Sequence, residues 1–312
     1  MSILVCGSMA FDSIMVFKGR FKEHILPDQV HMLNVSFLVP ELRREFGGCA
    51  GNIAYNLKLL DAPAYPMATV GDDAQPYLAR LRDLGVDARF IQTVEGTLTA
   101  HGHVVTDLDD NQIWAFHPGA MSHAHINRVP TDGSVHLGIV APDGKEGMLS
   151  HAQEFAQAGI PFMFDPGQGL PMFSAEELDA FIEQADYVAL NDYEAKLLQD
   201  RLGQSLPAVA ARVKALIITH GAQGSEIIVG QEHYNIPVAP ANTLTDPTGC
   251  GDAYRAGLLY GISKGLDWAT TGRLASVLGA IKIEHSGGQN HLANRQSIGQ
   301  RFEQAFGYRP WD

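Results

Sequence analysis

Short apolar runs alternate with longer amphipathic segments along most of this chain, and that rhythm restricts its fold more than any other feature. Ile3–Cys6, Met67–Val70, Val135–Ala141, Pro161–Asp165, Tyr187–Asn191 and Leu216–Thr219 are too short and too apolar for surface helices, and they read as buried strands. Between and after them, Cys49–Leu60, Gln75–Leu84, Leu149–Ala158, Ala175–Gln184, Asp192–Arg201, a segment from Asp252 to about Ser263, and Thr270–Glu284 carry apolar residues at helical spacing. Strands alternating with helices predict an α/β protein built on a mostly parallel sheet. At 312 residues, with 46% hydrophobic and 18% charged residues, the chain has enough apolar material for a large core without disulfide or metal staples.

Two regions break the rhythm. One is roughly Phe11–Phe46, with Ile14, Val16 and Phe17 followed later by Val30, Met32, Leu33, Val35, Phe37 and Leu38. The other is Thr97–His117, where two β-like runs flank Asp109-Asp110-Asn111, a hairpin composition. Both suggest a small β-rich insertion, read as a lid over a ligand site; an edge extension of the sheet or a dimerisation surface is the alternative. A β lid can pair with a copy of itself or close as a flap, so monomer and homodimer both stay open.

The charge balance narrows the partners. With 22 basic against 35 acidic residues, a net charge of −13, the surface repels phosphate backbones and anionic lipid, so neither nucleic acid nor membrane is expected as a main partner. A small anionic ligand is still admissible, because backbone N–H groups bind phosphate without net positive charge. Cys6, Cys49 and Cys250 are odd in number and widely spaced, which argues against a disulfide framework or structural zinc and for a reduced, cytosolic compartment. The first apolar run breaks at Gly7, as a strand does and a signal peptide does not, and no apolar stretch is long enough for a membrane helix. Of the thirteen histidines, His101/His103 and His123/His125 have strand-like spacing but no third grouped ligand, and they read as surface or lid residues.

The most informative stretch is Thr245-Asp246-Pro247-Thr248-Gly249-Cys250-Gly251-Asp252-Ala253-Tyr254-Arg255-Ala256-Gly257. A glycine turn opens directly into a helical pattern, so free N–H groups and the positive end of the helix dipole face a common point. Such a mouth suits a phosphate or a developing oxyanion. Asp252 would stand beside that anion, where a carboxylate is costly unless it accepts the proton of an attacking hydroxyl. Plain helix capping by Asp246 and Asp252 is the bland alternative.

Asp246-Pro247-Thr248-Gly249-Cys250-Gly251-Asp252 resembles the D-T-x-G-A-G-D signature of the ribokinase-like carbohydrate kinases, the PfkB family, departing from it at Pro247 and Cys250. The resemblance implies that Asp252 is the catalytic base and that the amides of Gly249, Cys250 and Gly251 form an anion hole for the transferred phosphoryl group. Other positions match in order. Asp12, in Gly7-Ser8-Met9-Ala10-Phe11-Asp12, falls where the family binds sugar hydroxyls, a role its two acceptor oxygens suit, although a turn residue would look the same. Gly47-Gly48-Cys49-Ala50-Gly51-Asn52 resembles G-G-x-x-x-N, which implies substrate contacts from Gly48 and Asn52. Asn191-Asp192-Tyr193-Glu194 matches N-x-x-E and implies that Asn191 serves the cofactor and that Glu194 holds Mg²⁺ through water, where acidic helix capping is the other reading. Thr219-His220-Gly221-Ala222-Gln223-Gly224 matches T-x-G-x-x-G, so Thr219, Gly221 and Gly224 would line the ATP phosphates, with His220 where lysine is common. Asn290, in Ser286-Gly287-Gly288-Gln289-Asn290, falls where the family borders the nucleotide base, and Asp246 is assigned to the nucleotide side as well.

Together these motifs imply one Rossmann-like three-layer α/β/α domain over residues 1–312, with a lid from about 11–46 and 97–117, ATP as donor and Mg²⁺ as cofactor. The absence of G-x-x-x-x-G-K-[ST], of G-x-G-x-x-G after the first strand and of a G-x-S-x-G elbow between a strand and a helix argues against a P-loop kinase, a dinucleotide dehydrogenase and an α/β-hydrolase. The runs 37–48 and 110–119 look like bacterial members described as adenosine kinases, and an apolar, aromatic lid suits a stacked purine. Phe116 and Phe37 are candidate purine contacts or, alternatively, lid core. Arg43 and Arg44 are the only adjacent basic pair there, and Glu41 and Glu45 would offset them on one helix face. The expected acceptor is therefore the primary, 5′-type hydroxyl of adenosine; ribose, fructose or another nucleoside is the alternative, and a non-catalytic nucleoside sensor on the same fold is a different class.

Overall fold

The computed structural model describes residues 1–25, 34–109 and 111–311. Val30, Met32, Leu33 and Asp110, assigned above to the lid, lie outside the described residues. Among the described residues, thirteen strands form two sheets. In chain order they are β1 (Ile3–Cys6), β2 (Ala10–Val16), β3 (Glu41–Gly47), β4 (Ala64–Val70), β5 (Phe90–Thr93), β6 (Ala100–Thr106) and β7 (Gln112–His117). Then come β8 (Leu137–Val140), β9 (Phe162–Phe164), β10 (Tyr187–Asn191), β11 (Ala215–Thr219), β12 (Ser225–Val229) and β13 (Glu232–Ile236). The helices are α1 (Phe21–His24), α2 (Cys49–Leu59), α3 (Gln75–Leu84), α4 (Lys145–Ala158) and α5 (Ala175–Gln184). They continue with α6 (Asp192–Leu202), α7 (Leu206–Ala210), α8 (Cys250–Lys264), α9 (Trp268–Ile283) and α10 (Arg295–Phe306).

The large sheet runs β13-β12-β11-β10-β9-β8-β1-β4-β5, parallel except for the β11–β12–β13 meander at one edge. Its central strands are buried on both faces, which is why they read as unbroken apolar runs rather than alternating ones. One face packs Ile3, Val5 and Ile139 against α2, α8 and α9. The other packs Leu4, Val140 and Val188 against α4, α5 and α6. A sheet between two helical layers is the expected three-layer sandwich. No helix among the described residues is long and apolar enough to cross a membrane.

The small sheet, β3-β2-β6-β7, comes from the two regions that broke the rhythm and forms the lid sheet. β6 and β7 form the expected antiparallel hairpin. One local reading is corrected: Glu41, Arg43, Arg44 and Glu45 lie on strand β3, not on a helix face. Alternation therefore splits the arginines, with Arg43 on the face of Glu45 and Arg44 over the Phe11 ring on the other. The sequence reading also missed β5, β12, β13 and α10. β5 is a polar-ended four-residue edge strand, and α10 buries only Ile298, Gly299 and Phe302, too few for a clear periodic signal.

Candidate active site

The carboxyl ends of the parallel strands, where α/β sheets bind ligands, carry several of the residues singled out above. Asn191 closes β10, Thr219 closes β11, and Ser8 follows β1. Ser8 Oγ accepts the Cys49 N–H at 3.2 Å and its carbonyl accepts that of Ala50 at 2.9 Å, which seats the start of α2 beside β1. Gly48, the N-cap of α2, adopts φ 85°, and a Cβ there would meet Ser8 O at 2.6 Å. Only glycine fits this junction.

At the mouth of α8, Gly249 is the N-cap with φ 78°. Cys250 N–H is already committed to Pro247 O at 3.1 Å, so it is not a free member of an anion hole in this structure. The amides of Gly249, Gly251 and Asp252 have no backbone acceptor among the described residues, and a Cβ at Gly251 would meet open space. N–H groups so placed at the positive end of a helix dipole are the arrangement that can seat an anion.

Asp252 is half-buried, and its Oδ2 accepts from Asn52 Nδ2 at 2.8 Å. Burial pushes its pKa up to about 6; the negative charge of Asp165 adds to the rise, while the Asn52 hydrogen bond and Arg255 oppose it. Arg255 is itself held by Asp165 in a buried two-bond pair, Nε to Oδ2 at 3.1 Å and a terminal nitrogen to Oδ1 at 3.0 Å. Asn52 is fixed from behind: Gln289 Nε2 donates to Asn52 Oδ1 at 3.0 Å and lies 2.6 Å from the Tyr77 hydroxyl, which donates to Gly47 O at 2.7 Å. That chain sets the amide orientation of Asn52 and so points an N–H at the Asp252 carboxylate.

Asp12 faces the site from β2. It pairs with Glu45 on β3 and Gly102 on β6, and Gly102 pairs with Phe116 on β7, so the four share one face of the lid sheet. A Cβ on Gly47 or Gly102 would stand 2.4 or 2.5 Å from an Asp12 carboxylate oxygen, so two glycines leave the space it occupies. Burial raises the Asp12 pKa to about 6, with Glu45 and Asp246 contributing. Phe116 and Trp114 are exposed on this face, 52% and 54%. Phe37 lies elsewhere: its ring packs 4.9 Å from both Phe17 and Phe21, in the lid-core position given above as its alternative.

At the carboxyl end of β10, Asn191 and Glu194 form a reciprocal cap on α6. Glu194 N–H donates to Asn191 Oδ1 at 2.7 Å, and both Glu194 oxygens accept from Asn191 at 2.8 Å. The capping reading of this motif is thus realised in the fold. Burial, then Asp165, raises the Glu194 pKa. Among the described residues no three His, Cys, Asp or Glu side chains gather as a metal cage. Glu194 is buried and both its oxygens accept from Asn191, so it fits Mg²⁺ through water, in keeping with an ion that keeps its waters and takes only one or two carboxylates besides phosphate. Thr219 Oγ1 donates to Leu190 O at 3.3 Å, and Gly221 and Gly224 bound a 3-10 turn just beyond β11. Asp246 turns inward: its carboxylate accepts Thr248 N–H at 2.9 Å and Gly287 N–H at 2.8 Å, and despite burial these bonds hold its pKa below the usual range. Asn290 Nδ2 donates to Glu45 Oε2 at 2.6 Å, tying the 286–290 turn to the lid sheet.

Sequence reasoning missed Gln289, Tyr77, Asp165, Arg255, Trp114 and Lys282. Two carried a signal: Arg255 and Lys282 are lone charges inside apolar helical runs, a pattern that costs stability unless each is paired. The others are recognisable only by what they touch.

Residues 8–295 match the pfkB family of carbohydrate kinases. A nucleoside kinase of Methanocaldococcus jannaschii is 31% identical over 273 residues, spanning 86% of this chain and 89% of its own. The structure of a Burkholderia thailandensis nucleoside kinase in complex with inosine superposes with a TM-score of 0.91 at 53% identity, covering 99% of this chain and 100% of that one. The same enzyme in complex with ADP–inosine gives 0.88 at 56% identity, covering 99% and 97%. With the helix mouth, the lid sheet and a match that spans nearly its whole length, this chain belongs to the pfkB family of carbohydrate kinases, phosphotransferases that act on an alcohol group.

Proposed function

We propose that this protein transfers the γ-phosphate of ATP to the primary 5′-type hydroxyl of a purine nucleoside, with adenosine among its acceptors. The observation that carries the reading is Asp252 at the open mouth of α8, beside amides without backbone acceptors. With a pKa of about 6, Asp252 is ionised at neutral pH yet basic enough to accept a proton. As the acceptor oxygen bonds to the γ-phosphorus and the bond to the ADP oxygen breaks, the hydroxyl proton passes to Asp252. The Gly249, Gly251 and Asp252 amides take up charge on the transferred phosphoryl oxygens. Glu194 would hold Mg²⁺ through water, and that ion, when bound, neutralises phosphate charge. Asp12 accepts hydrogen bonds from the ribose diol, Gly48 allows close approach, and Asn52 spans the sugar and Asp252. Asn191, Thr219, Gly221, Gly224 and Asn290 border the nucleotide. Closure of the lid sheet, residues 10–16, 41–47, 100–106 and 112–117, covers Phe116 and Trp114 with the base and keeps water from competing as acceptor.

The relatives support a nucleoside over a free sugar, and the inosine complexes of the Burkholderia enzyme favour a second reading in which inosine is preferred to adenosine. ADP formation measured with adenosine, inosine, guanosine, ribose and fructose separates these. Adenosine and inosine are expected to exceed ribose and fructose by orders of magnitude in kcat/KM. Ribose as the best acceptor would remove the nucleoside assignment and leave the kinase one. Nucleoside binding without ADP formation would favour a sensor.

A further inference from the structure

Lys282 is fully buried near the carboxyl end of α9, and the transfer step above does not use it. Its Nζ donates to Asp246 O and to His285 O, both at 2.9 Å. These carbonyls belong to the two turns that build the phosphate mouth. Asp246 opens the turn leading to Gly249, and His285 opens the turn whose Gly287 N–H binds the Asp246 carboxylate. A Cβ on Gly249 would lie 3.7 Å from Lys282 Cε and 3.1 Å from Gly288 Cα, so the lysine stem passes directly behind the N-cap of α8. A buried ammonium is costly unless its hydrogen bonds are met, and a helix carboxyl end is where the backbone favours one. Carbonyl oxygens converging on one point make a cation seat; here a tethered amine fills it.

We propose that Lys282 is a positioning residue for phosphoryl transfer: its ammonium is a built-in cation that clamps the 246–252 turn to the 285–288 turn and places fixed positive charge behind the anion seat, so that no exchangeable monovalent cation is needed there. The inference rests on the reading of that mouth as the phosphoryl site.

The test compares wild type, Lys282→Ala and Lys282→Met with ATP and a purine nucleoside in sodium, potassium, ammonium and tetramethylammonium chlorides at one ionic strength. Wild type should vary by no more than about twofold across the salts, and both variants should lose about 100-fold in kcat with nucleoside KM moving less than about threefold, the pattern of a group that acts on the transition state. Ammonium or potassium should restore at least about tenfold to Lys282→Ala, which leaves a cation-sized hole between two carbonyls, and none to Lys282→Met, which fills it. Wild type that is idle until potassium or ammonium is added overturns the proposal even if neither variant folds. So does Lys282→Met with near wild-type kcat, or a deficit in Lys282→Ala that no small cation repairs. Should wild type phosphorylate no nucleoside in any salt, the functional reading fails instead. The clamp is then read from hydrogen exchange of the 246–252 amides: faster exchange in Lys282→Met upholds it, and unchanged exchange overturns it.

Discussion

The mouth of α8 and the lid sheet each present a carboxylate that burial pushes up to about 6, yet they are built in opposite ways. Asp252 sits at the end of a relay of buried side chains, Tyr77, Gln289 and Asn52, and is aimed by a hydrogen bond. Asp12 rests in a gap left by Gly47 and Gly102, on a sheet whose outer strand β7 is exposed along its whole length. Under the proposed function, the difference separates two tasks. A group that moves a proton needs a fixed direction, which a buried, hydrogen-bonded surrounding provides. A group that grips a substrate diol needs room and free acceptor oxygens, so neighbouring side chains are absent rather than present.

Three variants press on that contrast. The largest effect belongs to Asp252→Asn, expected to lower kcat by about 1,000-fold while nucleoside KM changes little, because only proton transfer is lost; near-normal turnover would end its role as base. The same variant sharpens the electrostatic side. A carboxylate whose folded pKa is raised binds its proton more tightly in the folded state, so its ionised form destabilises the fold as pH rises from about 4 through 6. Asp252→Asn should therefore be more stable than wild type by on the order of 2 kcal/mol at pH 8, with the melting temperatures converging near pH 4.

Next comes Asp12→Asn, which weakens two charge-assisted hydrogen bonds to substrate and should lower kcat/KM by about 10- to 100-fold, mainly through KM. Since both carboxylates must be ionised, wild-type log kcat/KM should fall below pH 6 with a slope approaching 2, and the variant with a slope near 1. Equal slopes would mean that Asp12 and Asp252 do not share the substrate. The smallest effect is that of Phe116→Ala, expected to raise nucleoside KM about fivefold and leave ribose KM unchanged, since only the base meets the ring. An equal rise for both would return Phe116 to plain lid structure.

The parallel sheet, its flanking helices and the order of the mouth motifs were legible because each is written in neighbouring residues. Apolar runs mark the central strands, and Gly249 to Asp252 mark a helix start whatever surrounds them. Some elements were not legible: β5, β13 and α10 bury too little to impose a period, and β12, though it buries Ser225, Ile227 and Ile228, offers only three consecutive apolar residues after two polar ones. Arg43 and Arg44 were misplaced on a helix because spacing in a charged run cannot tell period 2 from period 3.6 when neither face is buried.

The sequence by itself determined the fold class, the identity of the mouth and the residue types available there, because those depend on local backbone freedom and hydrophobic period. Only the tertiary structure decided that Cys250 N–H is spent on Pro247, that Asn52 is aimed by Gln289, that Phe37 leaves the site while Phe116 stays on its face, and that Lys282 stands behind the anion seat. These are contacts between segments far apart in the chain. Their energy comes from desolvation and hydrogen-bond satisfaction, which exist only once the core has closed around them.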